Sequence, residues 1–225
     1  MKYKIVGDSC CDLTKEELKK EYFVSVPLTL TVGDTDVIDD ETFDQEKYLD
    51  MVDQCPTCPR SACPSPENYM QHFEDAENVF VVTLSSKLSG SYNSAMLAKQ
   101  IYQENHPDVK IHVFDSKSAA AAQHLICESL ERDILAELDF KTIVEKTETY
   151  VNEIRTLFVL DSLETMRKNG RITKVKALAA NMLNIKPVLH GVDGEIQQLD
   201  QARGMNKALD KMIQNVIAKT KNCEN

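Results

Sequence analysis

Residues 84–95, LSSKLSGSYNSA, place five serines and one glycine within a short span. An apolar run, NVFVVTL over 78–84, precedes them, and a helix-compatible run, YNSAMLAKQIYQ over 92–103, follows. A helix N-terminus presents unpaired N–H groups and about half a positive charge. Gly90 lets a ligand approach the backbone closely, and the hydroxyls of Ser89 and Ser91 can donate to it. Such a junction suits an anion, either phosphate or carboxylate. Serines are also good helix caps, and capping by itself accounts for them equally well. The stretch is not a GxxxxGK[ST] loop, has too few glycines for GxGxxG, and lacks the G-x-S-x-G of a nucleophile elbow.

A second group of candidates lies in RKNGRITKVK, residues 167–176, with five basic residues and no acid in a chain of net charge −10. Lys174 and Lys176 read as a solvated helix face. Arg171 follows Gly170 in a tight break, where a guanidinium can be aimed at a carboxylate or phosphate. A nucleophilic serine needs a base. The histidines are His72, His106, His112, His124 and His190, and none adjoins a serine-rich strand end in sequence. Seven cysteines are present, an odd number, and reduced thiols are expected. Cys55 and Cys58 form a CxxC with Cys63 nearby. A zinc site wants four ligands and a second such pair is absent. KYLDMVDQ before the pair reads as a helix rather than the buried strand of a thioredoxin-like motif. Plain loop thiols are expected.

The elements that must position these residues alternate. Strands are expected over 3–9, 78–84, 109–116 and 155–162, and helices over 14–22, 42–54, from Pro66, 92–104, 117–138 and 140–154. Thr14 with Glu17, and Thr42 with Gln45, have the spacing of capping boxes. Residues 24–40 read as a hairpin-like arm around Gly33, and the proline-rich 55–66 as a loop. This is the pattern of a mainly parallel sheet with flanking helices, the α/β class. Three strands end in Asp-Ser, at Asp8-Ser9, Asp115-Ser116 and Asp161-Ser162, and a fourth in Ser85-Ser86. In an open α/β sheet ligands sit outside the carboxyl ends of the strands, so these ends are expected along one edge. After residue 162 the character changes to a helix, a break at Asn169-Gly170, a hairpin over 185–199 turning at Asp193-Gly194, and a last helix. We therefore expect an N-terminal α/β domain over 1–160 and a smaller α+β domain over 161–225. A two-stranded hairpin alone is marginal, so either this sheet takes a strand from elsewhere or the sequence lacks a C-terminal piece.

The 225 residues suffice for a sizeable core. The acidic balance argues against nucleic acid as a partner. No apolar stretch is long enough to cross a membrane, and MKYKIVGDS enters a strand at once, so a cytoplasmic protein without stable membrane insertion is expected.

Read in order, GDSCCDLT, PRSACPSP, SSKLSGSYNSA, VFDSKSAAAA, FVLDSLETMRKNGRI, KPVL, DGEI and ARGMNKAL span essentially the whole chain. This set resembles the DegV family of bacterial fatty-acid-binding proteins. The resemblance implies two α/β domains with an acyl chain between them. It implies a non-catalytic role: family members that form the acyl-carrying subunit of fatty acid kinase hold the acid while a separate ATP-dependent kinase phosphorylates its carboxylate. Ser61 takes the place of the family's hydroxyl in its TSQPS loop, with Ala62 and Cys63 departing from the pattern. Ser89, followed by Gly90 and Ser91, takes that of the carboxylate-binding serine. Arg171 takes that of the arginine in GGRI, with Asn169 for the first glycine. The family continues past the point where this sequence ends, with a histidine and a Gly-Pro-Gly. The expected ligand is a long-chain fatty acid, with no cofactor and no metal, and Met96, Leu178, Met182 and Leu183 are candidate tail contacts. The competing possibilities are a serine-type acyl hydrolase and a phosphate- or nucleotide-binding module at the same helix N-terminus.

Overall fold

Short apolar runs become strands where both faces are covered, and amphipathic runs become the helices that cover them. In the computed structural model, which describes residues 2–172 and 184–220, the chain divides into two compact units, Met1–Ile154 and Arg155–Asn225.

The first unit is built on strands β1 (Tyr3–Asp8), β2 (Phe23–Val26), β6 (Asn78–Thr83) and β7 (Lys110–Asp115), all parallel in the order β2-β1-β6-β7. Successive side chains of a strand point to opposite faces. Phe80 and Val82 therefore join Ile5 and Phe114 on one face, against Ile126 and Leu130 of helix α4 (Ala121–Leu135) and Ile143 and Val151 of α5 (Phe140–Glu153). Val79 and Val81 join Val6 and Val113 on the other face. They pack on Tyr69 of α2 (Pro66–Met70), on nearby Phe73, and on Ala95 and Ala98 of α3 (Ser91–Asn105). β6 is buried throughout, as a central strand covered on both faces must be.

The expected arm at 24–40 divides. β2 enters the parallel sheet, while β3 (Thr29–Val32) and β4 (Thr35–Ile38) form a hairpin. A third strand, β5 (Arg60–Ala62), lies where the prolines suggest only loop, and it sets Ser61 opposite Leu30. The stretch 14–22 is not a helix. Thr14 and Glu17 do exchange side-chain bonds and the Leu18 N–H makes one α-type bond to the Thr14 carbonyl, but the following bonds run from Lys20 N–H to the Glu17 carbonyl and from Phe23 N–H to the Lys20 carbonyl. A three-residue spacing does not propagate an α-helix. Helix α1 (Gln45–Gln54) is capped by Asp44 rather than Thr42, the Lys47 N–H donating to its carboxylate.

Helix α4 starts later than its alanines suggest. Residues 117–120 form a turn in which Lys117 and Ala120 have positive φ, and the Ser118 carbonyl accepts the Ser85 N–H at 2.9 Å. Ala120 sits at φ 52°, ψ −126°, a region that a Cβ disfavours. Ala120→Gly should therefore raise stability by about 1 kcal/mol net of glycine's added chain entropy. The urea midpoint would move upward; a lower one would mean that the turn carries no strain.

In the second unit β8 (Leu157–Val159), β9 (Ile185–Val192) and β10 (Glu195–Arg203) form an antiparallel sheet in the order β10-β9-β8, with α6 (Glu164–Lys168) and α7 (Met205–Thr220). The strand expected to close the parallel sheet instead pairs with β9, so the unit boundary falls before β8 rather than after residue 160. β8 also supplies the third strand that the hairpin needs. Asp193 and Gly194 both have positive φ, the conformation of a two-residue turn that matches strand twist.

Candidate functional site

Parallel strands bring their carboxyl ends to one edge. There β1 ends at Asp8, β6 runs into Ser85-Ser86, and β7 ends at Asp115-Ser116, on neighbouring strands. The fourth polar end, Asp161-Ser162, follows β8 in the other unit, where Asp161 pairs with Lys186. The aspartates mostly do not cap helices. Asp115 accepts from the N–H groups of Ser86 and Lys117 and from the Ser86 hydroxyl. Asp8 accepts the Leu84 N–H at 2.7 Å and Gln123 Nε2 at 3.0 Å. Both therefore hold the serine loop in place.

Helix α3 begins from this loop without a side-chain cap, since its N-cap is Gly90. The Ser91 N–H donates to Ser89 Oγ at 3.2 Å, and the two hydroxyl oxygens lie 3.2 Å apart. The remaining N–H groups of a first helical turn have no acceptor within the helix. Ser89 is half-buried, whereas Ser91 is fully buried, its hydroxyl facing Asp8. Of the two, Ser89 is the one accessible to a ligand.

The loop carrying Ser61 meets this turn. A Cβ on Gly90 would lie 2.9 Å from Cys63 Sγ, so glycine is needed for the close approach. Ser94 Oγ donates to the Pro64 carbonyl at 2.6 Å. Ser61, two residues before Cys63, is exposed. Ser61, on β5, and Ser89, Gly90 and Ser91, at the start of α3, thus belong to two touching segments of one unit. Cys55 Sγ lies 3.2 Å from Thr57 Oγ1. Arg171 belongs to the second unit. It follows Gly170, whose φ is +72°, and the bonds from Gly170 N–H to Arg167 O and Arg171 N–H to Met166 O close a Schellman motif. Its Nη1 donates to the Asn169 carbonyl. Lys174, Lys176, Leu178, Met182 and Leu183 lie outside the described residues.

Beneath the turn is a polar floor that sequence reasoning passed over. Asp8, Gln123 and Tyr69 are 0 % exposed. Burial raises the Asp8 pKa above the ordinary 3.8, opposed by the Leu84, Gln123 and Ser91 bonds. Burial, reinforced by Asp8, also pushes the Cys10 and Cys11 thiols up, so neither offers a thiolate at neutral pH. Gly7-Asp8-Ser9 was visible as a polar strand end, but nothing in ENYMQ marked Tyr69 as buried polar.

The charge on Asp8 has a cost with a definite sign. An acid whose folded pKa is raised destabilises the fold above that folded value, and the penalty fades as pH falls from there toward 3.8. In Asp8→Asn the new amide can keep the Leu84 bond, and a flipped Gln123 can present the Oε1 that has no partner among the described residues. The variant should be more stable than the parent at pH 8 by about 1 kcal/mol, with the advantage shrinking on acidification. Denaturant titrations at several pH values check this; a pH-independent loss would contradict it.

A different cavity, of about 420 Å³, lies at the opposite edge of the sheet, lined by Tyr3, Phe80, Leu138, Phe140 and Ile143 among others. Its charged lining residue is an acid, Glu137, which disfavours an anionic ligand. Ser89 hydrogen-bonds to Ser91 and to no histidine among the described residues, so the arrangement suits binding an anion better than activating a nucleophile.

Comparison with known proteins agrees with this architecture. A DegV domain-containing protein of Streptococcus pneumoniae is 39% identical over 220 residues, covering 96% of this chain and 78% of that protein. A DegV family crystal structure from Ruminococcus gnavus, described with vaccenic acid, superposes with a TM-score of 0.92 at 43% identity, covering 96% of this chain and 78% of the other. The S. pneumoniae Fatty Acid Kinase (Fak) B3 protein loaded with linoleic acid has a TM-score of 0.87 at 37% identity, with coverage of 97% and 79%. The model of the family described as "Uncharacterised protein, DegV family" matches residues 2–225, and this chain belongs to the DegV family.

Proposed function

We propose that the protein binds a long-chain fatty acid, with the carboxylate held by Ser61, Ser89 and the first turn of α3 behind Gly90 and Ser91. The observation that carries this is the uncapped α3 N-terminus, with its half-buried hydroxyl, pressed against the loop that bears Ser61. The fatty acids described in the related R. gnavus and S. pneumoniae structures support a carboxylate over a phosphate as the anion. Exposed apolar side chains on the same helix, Met96, Leu97 and Ile101, supply surface for a tail.

Energetics favour a carrier. A tail of about fifteen methylenes offers on the order of 12 kcal/mol before ordering costs. A charge-assisted hydrogen bond adds roughly 1.5–3 kcal/mol. The tail therefore supplies most of the affinity, and the hydroxyls orient the acid and select for it. No base is needed for that task. Arg171 is a candidate guanidinium for the same anion. The likeness to the Fak B3 protein supports a further step, presentation of the bound carboxylate to an ATP-dependent fatty acid kinase. There the carboxylate oxygen would attack the γ-phosphorus of ATP, giving acyl phosphate and releasing ADP.

Native mass spectrometry of delipidated protein with added oleate tests the binding step. A single oleate adduct per chain is expected, and inorganic phosphate or ATP should not displace it. Absence of an adduct, or displacement by phosphate, would overturn the assignment in favour of the phosphate-binding module. Hydrolysis of a chromogenic acyl ester that is lost in Ser89→Ala would favour the hydrolase.

A further inference from the structure

In the floor of the site two buried polar atoms lack a hydrogen-bond partner among the described residues, Gln123 Oε1 and the hydroxyl of Tyr69, and only the second is a donor. The residue sits on α2 with 0 % exposure, its ring packed among Val6, Val26, Phe73 and Ala95. The Ser91 hydroxyl faces its oxygen, but among the described residues no group meets that oxygen at hydrogen-bonding geometry. The polar groups around it are Asp8 at the end of β1, Ser91 in the first turn of α3, and the thiols of Cys11 and Cys63. Ser91 follows the turn of Ser89, and Cys63 follows Ser61 and touches Gly90. The phenol tip thus lies where the two hydroxyl-bearing loops meet. A buried hydroxyl without a partner has lost its water and gained nothing in return. Phenylalanine would fill the same apolar space without that cost.

We propose that the Tyr69 hydroxyl is a third hydrogen-bond donor to the headgroup of the bound acid, acting with Ser61 and Ser89. This rests on reading the Ser89 turn as the carboxylate site. Burial and the neighbouring Asp8 keep the phenol protonated, so it offers a hydrogen to a carboxylate. Asp8 is already engaged, accepting from the Leu84 N–H and from Gln123 Nε2. Tyr69 makes the site selective for a free acid, which accepts several donors, over an alcohol of the same tail, which accepts fewer.

Tyr69→Phe removes the one atom at issue and keeps the packing. Delipidated parent and variant would be titrated with oleate and with oleyl alcohol, and their ligand-free urea midpoints compared. The oleate Kd should rise about tenfold in the variant, the loss of one donor to a charged group, while the alcohol Kd changes far less. The ligand-free midpoint should be equal or higher. A lower midpoint would show that the hydroxyl has a structural partner, and an unchanged oleate Kd would remove it from the headgroup. If the parent binds oleate, and Ser89→Ala weakens binding while Tyr69→Phe does not, the fatty-acid assignment stands and this inference fails. If the parent takes up no oleate, both fall together.

Discussion

The double variant Ser61→Ala/Ser89→Ala will bind oleate about a hundredfold more weakly than the parent, each lost charge-assisted bond costing roughly a factor of ten or more. Binding will not vanish, because the tail retains its burial. The cost in fold stability should be unequal. Ser61 is exposed and its backbone, not its side chain, makes the β5 pairing with β3, so removing its hydroxyl should leave the ligand-free protein unchanged. Ser89 Oγ accepts the Ser91 N–H, so its loss leaves that N–H without this acceptor and should cost about 1 kcal/mol. Calorimetric titration of the two single variants and the double variant separates the effects. If affinity stays within twofold of the parent's while α3 is merely less stable, the serines are caps and the headgroup is held elsewhere.

The largest effect on stability is expected at Gly7. This residue lies in the central strand β1, and a Cβ there would sit 2.6 Å from Cys11 Sγ and 3.0 Å from Cys11 Cβ. Cys11 is fully buried and has little room to move. Its thiol donates weakly to the Val82 carbonyl and accepts from Gln123 Nε2 at 3.3 Å. Overpacking of this kind costs about 1–3 kcal/mol, and Gly7→Ala should fall at the upper end. Adding Cys11→Ala removes the shorter contact and should recover part of the loss, a non-additivity that a double-mutant cycle measures. Because the Cys11 turn adjoins Asp8, Gly7→Ala should also weaken oleate binding. Additive costs would mean that the backbone, not Cys11, absorbs the new methyl.

The parallel sheet was legible because its strands are buried on both faces and read as unbroken apolar runs, NVFVVT being the clearest. Ser65-Pro66 announced the start of α2 through a proline at the first helical position, and the structure adds a capping box between Ser65 and Asn68. Strand β5 was hidden because it is three exposed residues among prolines, held only by pairing with β3. Strand β8 was visible but misassigned. A run such as LFV shows no partner in its own sequence, and its antiparallel pairing with β9 depends on residues far along the chain. In the candidate site, the Ser89-Gly90-Ser91 turn stood out through residue type, whereas Ser61 was reached only through the family resemblance. The division of labour between Ser89 and Ser91 did not, since it depends on which hydroxyl the buried Asp8 draws inward. Tyr69 carried no signal at all, because only burial distinguishes an orphaned phenol from an ordinary one.

A crystal structure of the chain grown with oleate tests the central claim most directly. The account predicts one carboxylate oxygen within hydrogen-bonding distance, about 2.7–3.2 Å, of Ser89 Oγ and the other near Ser61 Oγ, with the tail running away from the turn over apolar side chains. Oleate density with its carboxylate at any other place, leaving the Ser89 turn to solvent, would contradict it.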